Sequence, residues 1–119
     1  MSLNPKLTDT DRLRHMRDAA CAALRFVRGR TRADLDTDEM LAFALVRALE
    51  IIGEAADKLS DLAHAAHPSI PWSEIIGMRH KLIHGYFDVD LDIVWNVVTE
   101  ELPDLVAWLD SVLSPPPGA

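Results

Sequence analysis

The sequence predicts an all-α protein, built as an antiparallel bundle of four helices with short connections. Three observations support this fold class. Apolar residues recur every three or four positions, which is the period of a helix with one buried face. Helix caps and helix breakers fall between these periodic stretches. No stretch shows the alternation of apolar and polar residues that is typical of a strand.

The helical period is carried by four stretches, residues 8–29, 37–64, 72–84 and 90–113. Their short connections favour neighbouring helices that run antiparallel. We expect one domain over residues 8–113, with flexible tails at residues 1–7 and 114–119. The last two helices carry more apolar residues than one buried face needs, and the surplus could serve a homodimer interface.

Capping residues set the expected start of the first three helices. Thr8 or Asp9 can cap the first helix. Asp36 and Glu39 have the spacing of a capping box at the start of the second. Pro71 suits the first position of the third, where its missing N–H costs nothing.

The end of the third helix and the course of the fourth also follow from single residues. Gly85 is a natural end for the third helix, and Asp90 can cap the fourth. Pro103 lies inside the fourth helix, where proline removes a hydrogen bond. We therefore expect a kink or a local break at Pro103.

Composition restricts the class of protein. The chain has 119 residues, 49% of them hydrophobic, and can form one small core. Its single cysteine, Cys21, excludes an internal disulfide framework and fits a reducing compartment. The first ten residues lack the apolar core of a secretory signal, and no stretch approaches the roughly 20 apolar residues of a membrane span. We expect a cytoplasmic protein with no membrane partner.

Charge is distributed unevenly along the chain. The net charge of −7 argues against a general nucleic-acid coat protein. Residues 1–32 nevertheless hold eight of the twelve Lys and Arg residues and only three of the nineteen Asp and Glu residues. These cations could form a solvated helix face, guide an RNA backbone or dock an acidic partner.

The segment 79–86 (RHKLIHGY) holds the side chains best suited to chemistry. Arg79 carries a rigid fork of donors that fits phosphate oxygens. His84 can accept and return a proton near neutral pH. Together they could cleave RNA without a metal: the ribose 2′-hydroxyl attacks the adjacent phosphate, and a 2′,3′-cyclic phosphate forms. We expect no cofactor and no metal.

The spacing of Arg79 and His84 leaves several geometries open. In an unbroken helix, five residues separate two side chains by about 140° around the axis. Gly85 could loosen the last turn, or two copies of the segment could face each other across a two-fold axis; we favour the second. Alternatively, Arg79 forms a salt bridge with an acidic neighbour and His84 caps the helix.

Three further residues are candidates for supporting roles. Glu50 and Glu54 lie one turn apart on the second predicted helix and could hold Arg79 or His84 if they face inward; if they face outward they form a solvated face. His80 and His84 have the spacing of a metal-chelating pair on a helix, but no third ligand is evident.

The pattern Arg-x4-His-x-Tyr at Arg79, His84 and Tyr86 resembles the motif of HEPN ribonucleases, especially the HepT toxins of prokaryotic toxin–antitoxin pairs. Three surrounding blocks also resemble HepT-like proteins, namely residues 47–56 (RALEIIGEAA), 71–78 (PWSEIIGM) and 85–95 (GYFDVDLDIVW). The resemblance covers most of the chain.

The resemblance implies an all-α HEPN bundle that dimerises with its motif at the dimer cleft. It implies metal-independent cleavage of RNA and an MntA-like nucleotidyltransferase antitoxin that transfers AMP to Tyr86. The family often has Asn or Asp directly after the motif arginine, where this chain has His80. This departure and the acidic net charge favour an alternative, a non-catalytic HEPN subunit that binds a nucleotidyltransferase partner or a nucleotide.

Overall fold

Helices form most of the fold, which confirms the predicted all-α class. The computed structural model describes residues 6–85 and 88–114. In chain order its helices are α1 (Asp9–Phe26), α2 (Asp34–Thr37), α3 (Glu39–Asp57), α4 (Asp61–Ala66), α5 (Trp72–Ile76), α6 (Met78–Leu82), α7 (Leu91–Asn96) and α8 (Leu102–Leu113). Two short strands, β1 (Ile83–Gly85) and β2 (Asp88–Val89), lie between α6 and α7, and a π-helical turn (Val97–Glu101) joins α7 to α8.

The start of α1 is fixed by a capping box in which Thr8, one of the two predicted candidates, is the cap. The Thr8 hydroxyl accepts a hydrogen bond from the Asp11 backbone N–H at 3.1 Å, and the Asp11 carboxylate accepts one from the Thr8 N–H at 3.0 Å. This exchange satisfies two of the donors that a helix start leaves unpaired. The helix ends at Phe26, and Gly29 then adopts a positive φ of 70° in the following turn.

The second predicted helix, residues 37–64, is wrong at both ends. Asp38, and not Asp36, caps α3 by accepting from the Leu41 N–H at 3.0 Å, while residues 34–37 form the separate helix α2. At the other end α3 stops at Asp57, because Ser60 starts a new helix by accepting from the Ala63 N–H at 3.1 Å. A serine side chain that competes for backbone donors favours such a boundary.

The core lies where α1 packs against α3 and α8. Several of its side chains have no exposed area, and they come from most of the helices: Met16, Ala20, Leu45, Ile52, Leu82, Val94 and Leu109. The apolar faces predicted from the helical period therefore meet in one cluster. Among the described residues, no helix combines the length and the apolar character that crossing a membrane requires.

The third predicted helix, residues 72–84, is also wrong in its course and its end. It is divided at Gly77 into α5 and α6, and α6 ends at Leu82. Ile83 then pairs with Val89, and Gly85 pairs with Asp88, in a two-stranded antiparallel ladder. The prediction that the chain has no strands is thus wrong for this short hairpin, because strand pairing replaces one further helical turn.

The last predicted helix is confirmed in its cap and in its local break. Asp90 caps α7 by accepting from the Ile93 N–H at 3.1 Å. Pro103 occupies the first turn of α8, directly after the π-helical turn. Because proline cannot donate the expected hydrogen bond, the regular helix is interrupted just before it.

Candidate functional site

His84 lies at an irregularity of the short hairpin. Ile83 pairs with Val89 and Gly85 pairs with Asp88, so two steps along β1 match one step along β2. His84 is therefore the additional residue, as in a β-bulge, and its side chain is exposed. Bulges redirect side chains and are common beside active sites. The prediction that His84 sits at a helix end is wrong, and the 140° separation of an unbroken helix does not apply.

Arg79 lies in the first turn of α6 with its side chain exposed to solvent. Its backbone carbonyl accepts the N–H of Ile83, which closes the end of that helix. Within residues 6–85 and 88–114, no carboxylate approaches the Arg79 guanidinium to within 4 Å. The alternative in which a salt bridge occupies Arg79 is therefore not what this part of the chain shows.

Leu82 anchors the segment between these two side chains. It has no exposed area, whereas Arg79 and His84 on either side of it are exposed. Its carbonyl accepts the Asp90 N–H at 2.7 Å, which ties the end of α6 to the start of α7. One buried side chain and one backbone hydrogen bond thus fix the positions from which the cation and the imidazole project.

A shallow groove of about 120 Å³ lies between Arg79 and α3. Its walls are formed by residues of α3, α5 and α6: Leu49, Glu50, Gly53, Glu54, Asp57, Ile76, Arg79 and His80. Both supporting carboxylates of the sequence prediction therefore face the same groove as Arg79. Glu50 is half-buried and Glu54 is exposed, and Glu54 lies 3.9 Å from the Arg47 guanidinium.

Gly53 sets how closely α5 can approach α3 in this groove. A Cβ atom at Gly53 would lie 3.2 Å from the Ile75 carbonyl oxygen and 3.7 Å from that of Ile76. The first distance is shorter than nine in ten Cβ contacts in proteins. Glycine therefore permits a close contact between backbones, and this contact positions the chain that leads into Arg79.

Tyr86, the predicted AMP acceptor, lies outside the described residues, as does its neighbour Phe87. Its role stays a prediction. The pairing of His80 with His84 as metal ligands required helical spacing, and the helix ends at Leu82 before His84 is reached. In the described part of the chain, no group of three or more His, Cys, Asp or Glu side chains is arranged to hold a metal ion.

Part of the basic N-terminal region is engaged in ion pairs that were not predicted from the sequence. Arg30 contacts Asp38 at 2.6 Å, and Arg32 contacts Asp92 at 2.6 Å. The second pair links the connection after α1 to the first turn of α7, directly after the hairpin that carries His84. Sequence spacing can suggest ion pairs between residues close together in the chain, but the contact of Arg32 with Asp92 depends on how the helices pack.

Comparisons with known proteins agree on one family. The family model described as "Ribonuclease HepT-like" matches residues 16–112. The chain is 47% identical over 72 residues to a protein of Thermococcus cleftensis named "Probable ribonuclease HepT", and the aligned stretch covers 60% of this chain and 66% of that protein. It is 42% identical over 87 residues to a "Putative RNase" of Caldanaerobacter subterraneus subsp. tengcongensis, covering 73% of this chain and 78% of that protein. No solved structure matches significantly.

The chain therefore belongs to the ribonuclease HepT-like family. The match includes α3, the Arg79 groove and the hairpin with His84. This confirms the resemblance that the motif and its three flanking blocks indicated, together with the HEPN-like all-α fold. The matched stretch spans about two thirds of the length of the Thermococcus relative.

Proposed function

We propose that the protein is a metal-independent endoribonuclease in which Arg79 and His84 act on the same phosphodiester linkage. The observation that carries this proposal is the placement of the two side chains. Both are exposed, both project from a segment anchored by the buried Leu82, and His84 stands at a bulge instead of on the far side of a helix. Membership in the ribonuclease HepT-like family supports it.

In the proposed reaction, His84 removes the proton from the ribose 2′-hydroxyl as the 2′-oxygen attacks phosphorus. The bond from phosphorus to the 5′-oxygen breaks, and an imidazolium returns a proton to that leaving oxygen. The products are a 2′,3′-cyclic phosphate and a 5′-hydroxyl. Arg79 stabilises the negative charge on the phosphoryl oxygens, since its guanidinium can donate two parallel hydrogen bonds.

We propose that two protomers form the working enzyme and pool their Arg79 and His84 side chains in one cleft. Met40 and Phe43, on the first turns of α3, are 83% and 67% exposed. Large apolar side chains exposed together favour a contact with another protein surface. Because α3 also lines the Arg79 groove, a two-fold contact involving this helix would bring two motif segments near each other.

The proposal extends to regulation within a toxin–antitoxin pair. An MntA-like nucleotidyltransferase partner would transfer AMP from ATP to the hydroxyl of Tyr86, with pyrophosphate as the leaving group. Each AMP adds an anionic phosphodiester two residues from His84. This charge would compete with the RNA phosphate for the Arg79 guanidinium and silence cleavage.

A second candidate function, a non-catalytic subunit that binds the nucleotidyltransferase, is favoured by one observation. Three carboxylates, Glu50, Glu54 and Asp57, line the same groove as Arg79. Their negative charge opposes the approach of an RNA phosphate. This function predicts a tight complex with the partner and no loss of RNA.

Cleavage of RNA in EDTA separates the two functions. The purified chain, without its partner, should degrade RNA and leave 2′,3′-cyclic phosphate ends. Arg79→Ala should lower the rate about 10²–10³-fold, and His84→Ala about 10²–10⁴-fold, with unchanged circular dichroism. Arg28→Ala, which removes an exposed arginine outside the groove, is the matched control. RNA left intact by the wild-type protein, or cut by both site variants as fast as by the wild type, would refute the nuclease.

A further inference from the structure

A second groove lies on a neighbouring face of α3 from the Arg79 groove. It has a volume of about 240 Å³ and runs between α3 and the start of α1. Its lining includes three permanent cations and one histidine: Arg12, His15, Arg47 and Lys58. We call this the basic groove. Such a concentration of cations is unexpected on a chain with a net charge of −7.

Helical spacing explains why these side chains meet. Arg12 and His15 are three residues apart on α1 and therefore share a face. Arg47 and Lys58 are eleven residues apart, close to three helical turns, so they lie on one face of the α3 axis extended to its cap. Neither α1 nor α3 shows this cluster alone, since it arises when the two helices pack.

The cations of the basic groove are available to a ligand. Arg47, His15 and Lys58 are exposed, and Arg12 is half-buried. In the described ranges, the one ion pair recorded for these four residues joins Arg47 to Glu54 at 3.9 Å, with the two side chains 61% and 60% exposed. A pair this long and this exposed contributes little and competes weakly with a phosphate.

The basic groove adjoins the Arg79 groove at one residue. Glu54 lines both grooves. Its side chain therefore stands on the crest of α3, with Arg79 and His80 on one side and the basic groove on the other. A helix with its side chains is about 10–12 Å wide, so an extended RNA strand that crosses α3 would enter both grooves within a few nucleotides.

We propose that the basic groove is a second phosphate-binding subsite, which holds the RNA backbone a few nucleotides away from the linkage that is cut. This inference rests on the proposed ribonuclease function and deepens it. Arginine and lysine side chains along an open groove hold a polyanionic backbone without reading its sequence. The subsite would therefore favour longer RNA substrates over short ones.

The lining of the basic groove favours RNA over an acidic protein. Its apolar part consists of Leu7, Ile51 and Ala55. Among the described residues, its lining contains no Phe, Tyr or Trp, the large side chains that often anchor protein interfaces. Phosphate contacts need only accessible donors and positive charge.

Binding can be measured separately from cleavage in a His84→Ala parent. The affinity for a fluorescent single-stranded RNA is measured by anisotropy at several salt concentrations. Adding Arg12→Gln or Lys58→Gln should weaken binding and reduce the slope of log K against log salt by about 0.7 each. Adding Arg28→Gln, a matched loss of one exposed charge outside the groove, should leave the slope unchanged. Glu54→Gln should strengthen binding, since it removes the carboxylate at the junction.

A second measurement compares cleavage of long and short RNA by variants that retain His84. Arg12→Gln should raise KM for a long RNA and leave cleavage of a dinucleotide unchanged. Slopes equal to that of the parent for both groove variants, or an RNA affinity that none of them alters, would overturn the subsite. The subsite would also be overturned if the groove variants lost binding to an acidic partner protein while their RNA binding stayed intact. If wild-type protein cuts RNA while these slopes do not change, the subsite alone fails; if it does not cut RNA, the proposed function fails.

Discussion

Truncation of Leu82 should destabilise the fold and disturb the site together. The side chain has no exposed area and lies between the exposed Arg79 and His84. Leu82→Ala leaves a cavity in the core, and such substitutions cost about 2–5 kcal/mol. A chain of 119 residues has a free energy of unfolding of roughly 6–18 kcal/mol. The variant should therefore fold, with a clearly reduced margin.

Urea denaturation followed by circular dichroism measures this loss. With an m value of about 1–3 kcal/mol per molar urea, a loss near 3 kcal/mol lowers the midpoint by about 1–3 M. Leu62→Ala is the matched control, because Leu62 lies on α4 with 83% of its side chain exposed. Both variants are compared at one protein concentration, since association would also shift the midpoint. A midpoint for Leu82→Ala as close to wild type as that of Leu62→Ala would refute the packing argument.

Three further predictions concern the groove, acid stability and association. Gly53→Ala should change the free energy of unfolding by no more than about 1 kcal/mol from the wild-type value, because the better helix propensity of alanine offsets the 3.2 Å contact with the Ile75 carbonyl. The same variant should lower kcat/KM for RNA, and unchanged cleavage would contradict this. The Leu41 N–H, with help from a nearby arginine, lowers the pKa of Asp38. The contribution of Asp38 to stability is complete above the ordinary pKa of about 3.9 and is lost as the pH falls through the lowered value. Asp38→Asn should therefore flatten the dependence of melting temperature on pH below about pH 4, and an unchanged slope in this acid range would contradict the prediction. Phe43→Glu should yield monomers in light scattering, and an intact dimer would exclude this face.

Helical period was sufficient to predict the fold class and the apolar faces. Thr8 or Asp9 and Asp90 were predicted as caps because each precedes a periodic stretch, and Thr8 and Asp90 make the expected hydrogen bonds. The period does not fix helix ends, however. Ser60 interrupts an apolar pattern that continues through it, because its hydroxyl accepts the Ala63 N–H and its own backbone N–H donates to Asp9 of α1.

The hairpin at His84 could not be predicted from local pattern. Leu82 and Ile83 continue the helical period of the third predicted helix, so nothing local indicates that α6 stops at Leu82. The strand forms because Ile83 pairs with Val89, a contact that also depends on the Asp90 N–H reaching the Leu82 carbonyl. Strand pairing across this turn thus outweighs the helical pattern at the position of the proposed catalytic imidazole.

The residues of the candidate site could be selected from the sequence, but their surroundings could not. Arg79 and His84 stand out by chemical type and motif. The groove that Arg79 shares with Glu50 depends on the contact that Gly53 permits between α3 and α5. The basic groove likewise depends on the packing of α1 against α3, which helical period alone does not specify.

Complementation between two inactive variants tests most directly whether Arg79 and His84 from two protomers share one cleft. Arg79→Ala and His84→Ala chains with different affinity tags are expressed together, and the mixed dimer is purified through both tags. One Arg79 and one His84 remain in each mixed dimer. Their meeting in a shared cleft predicts cleavage of RNA in EDTA at least about ten-fold faster than by either parent variant. A mixed dimer as inactive as its parents would contradict the shared cleft.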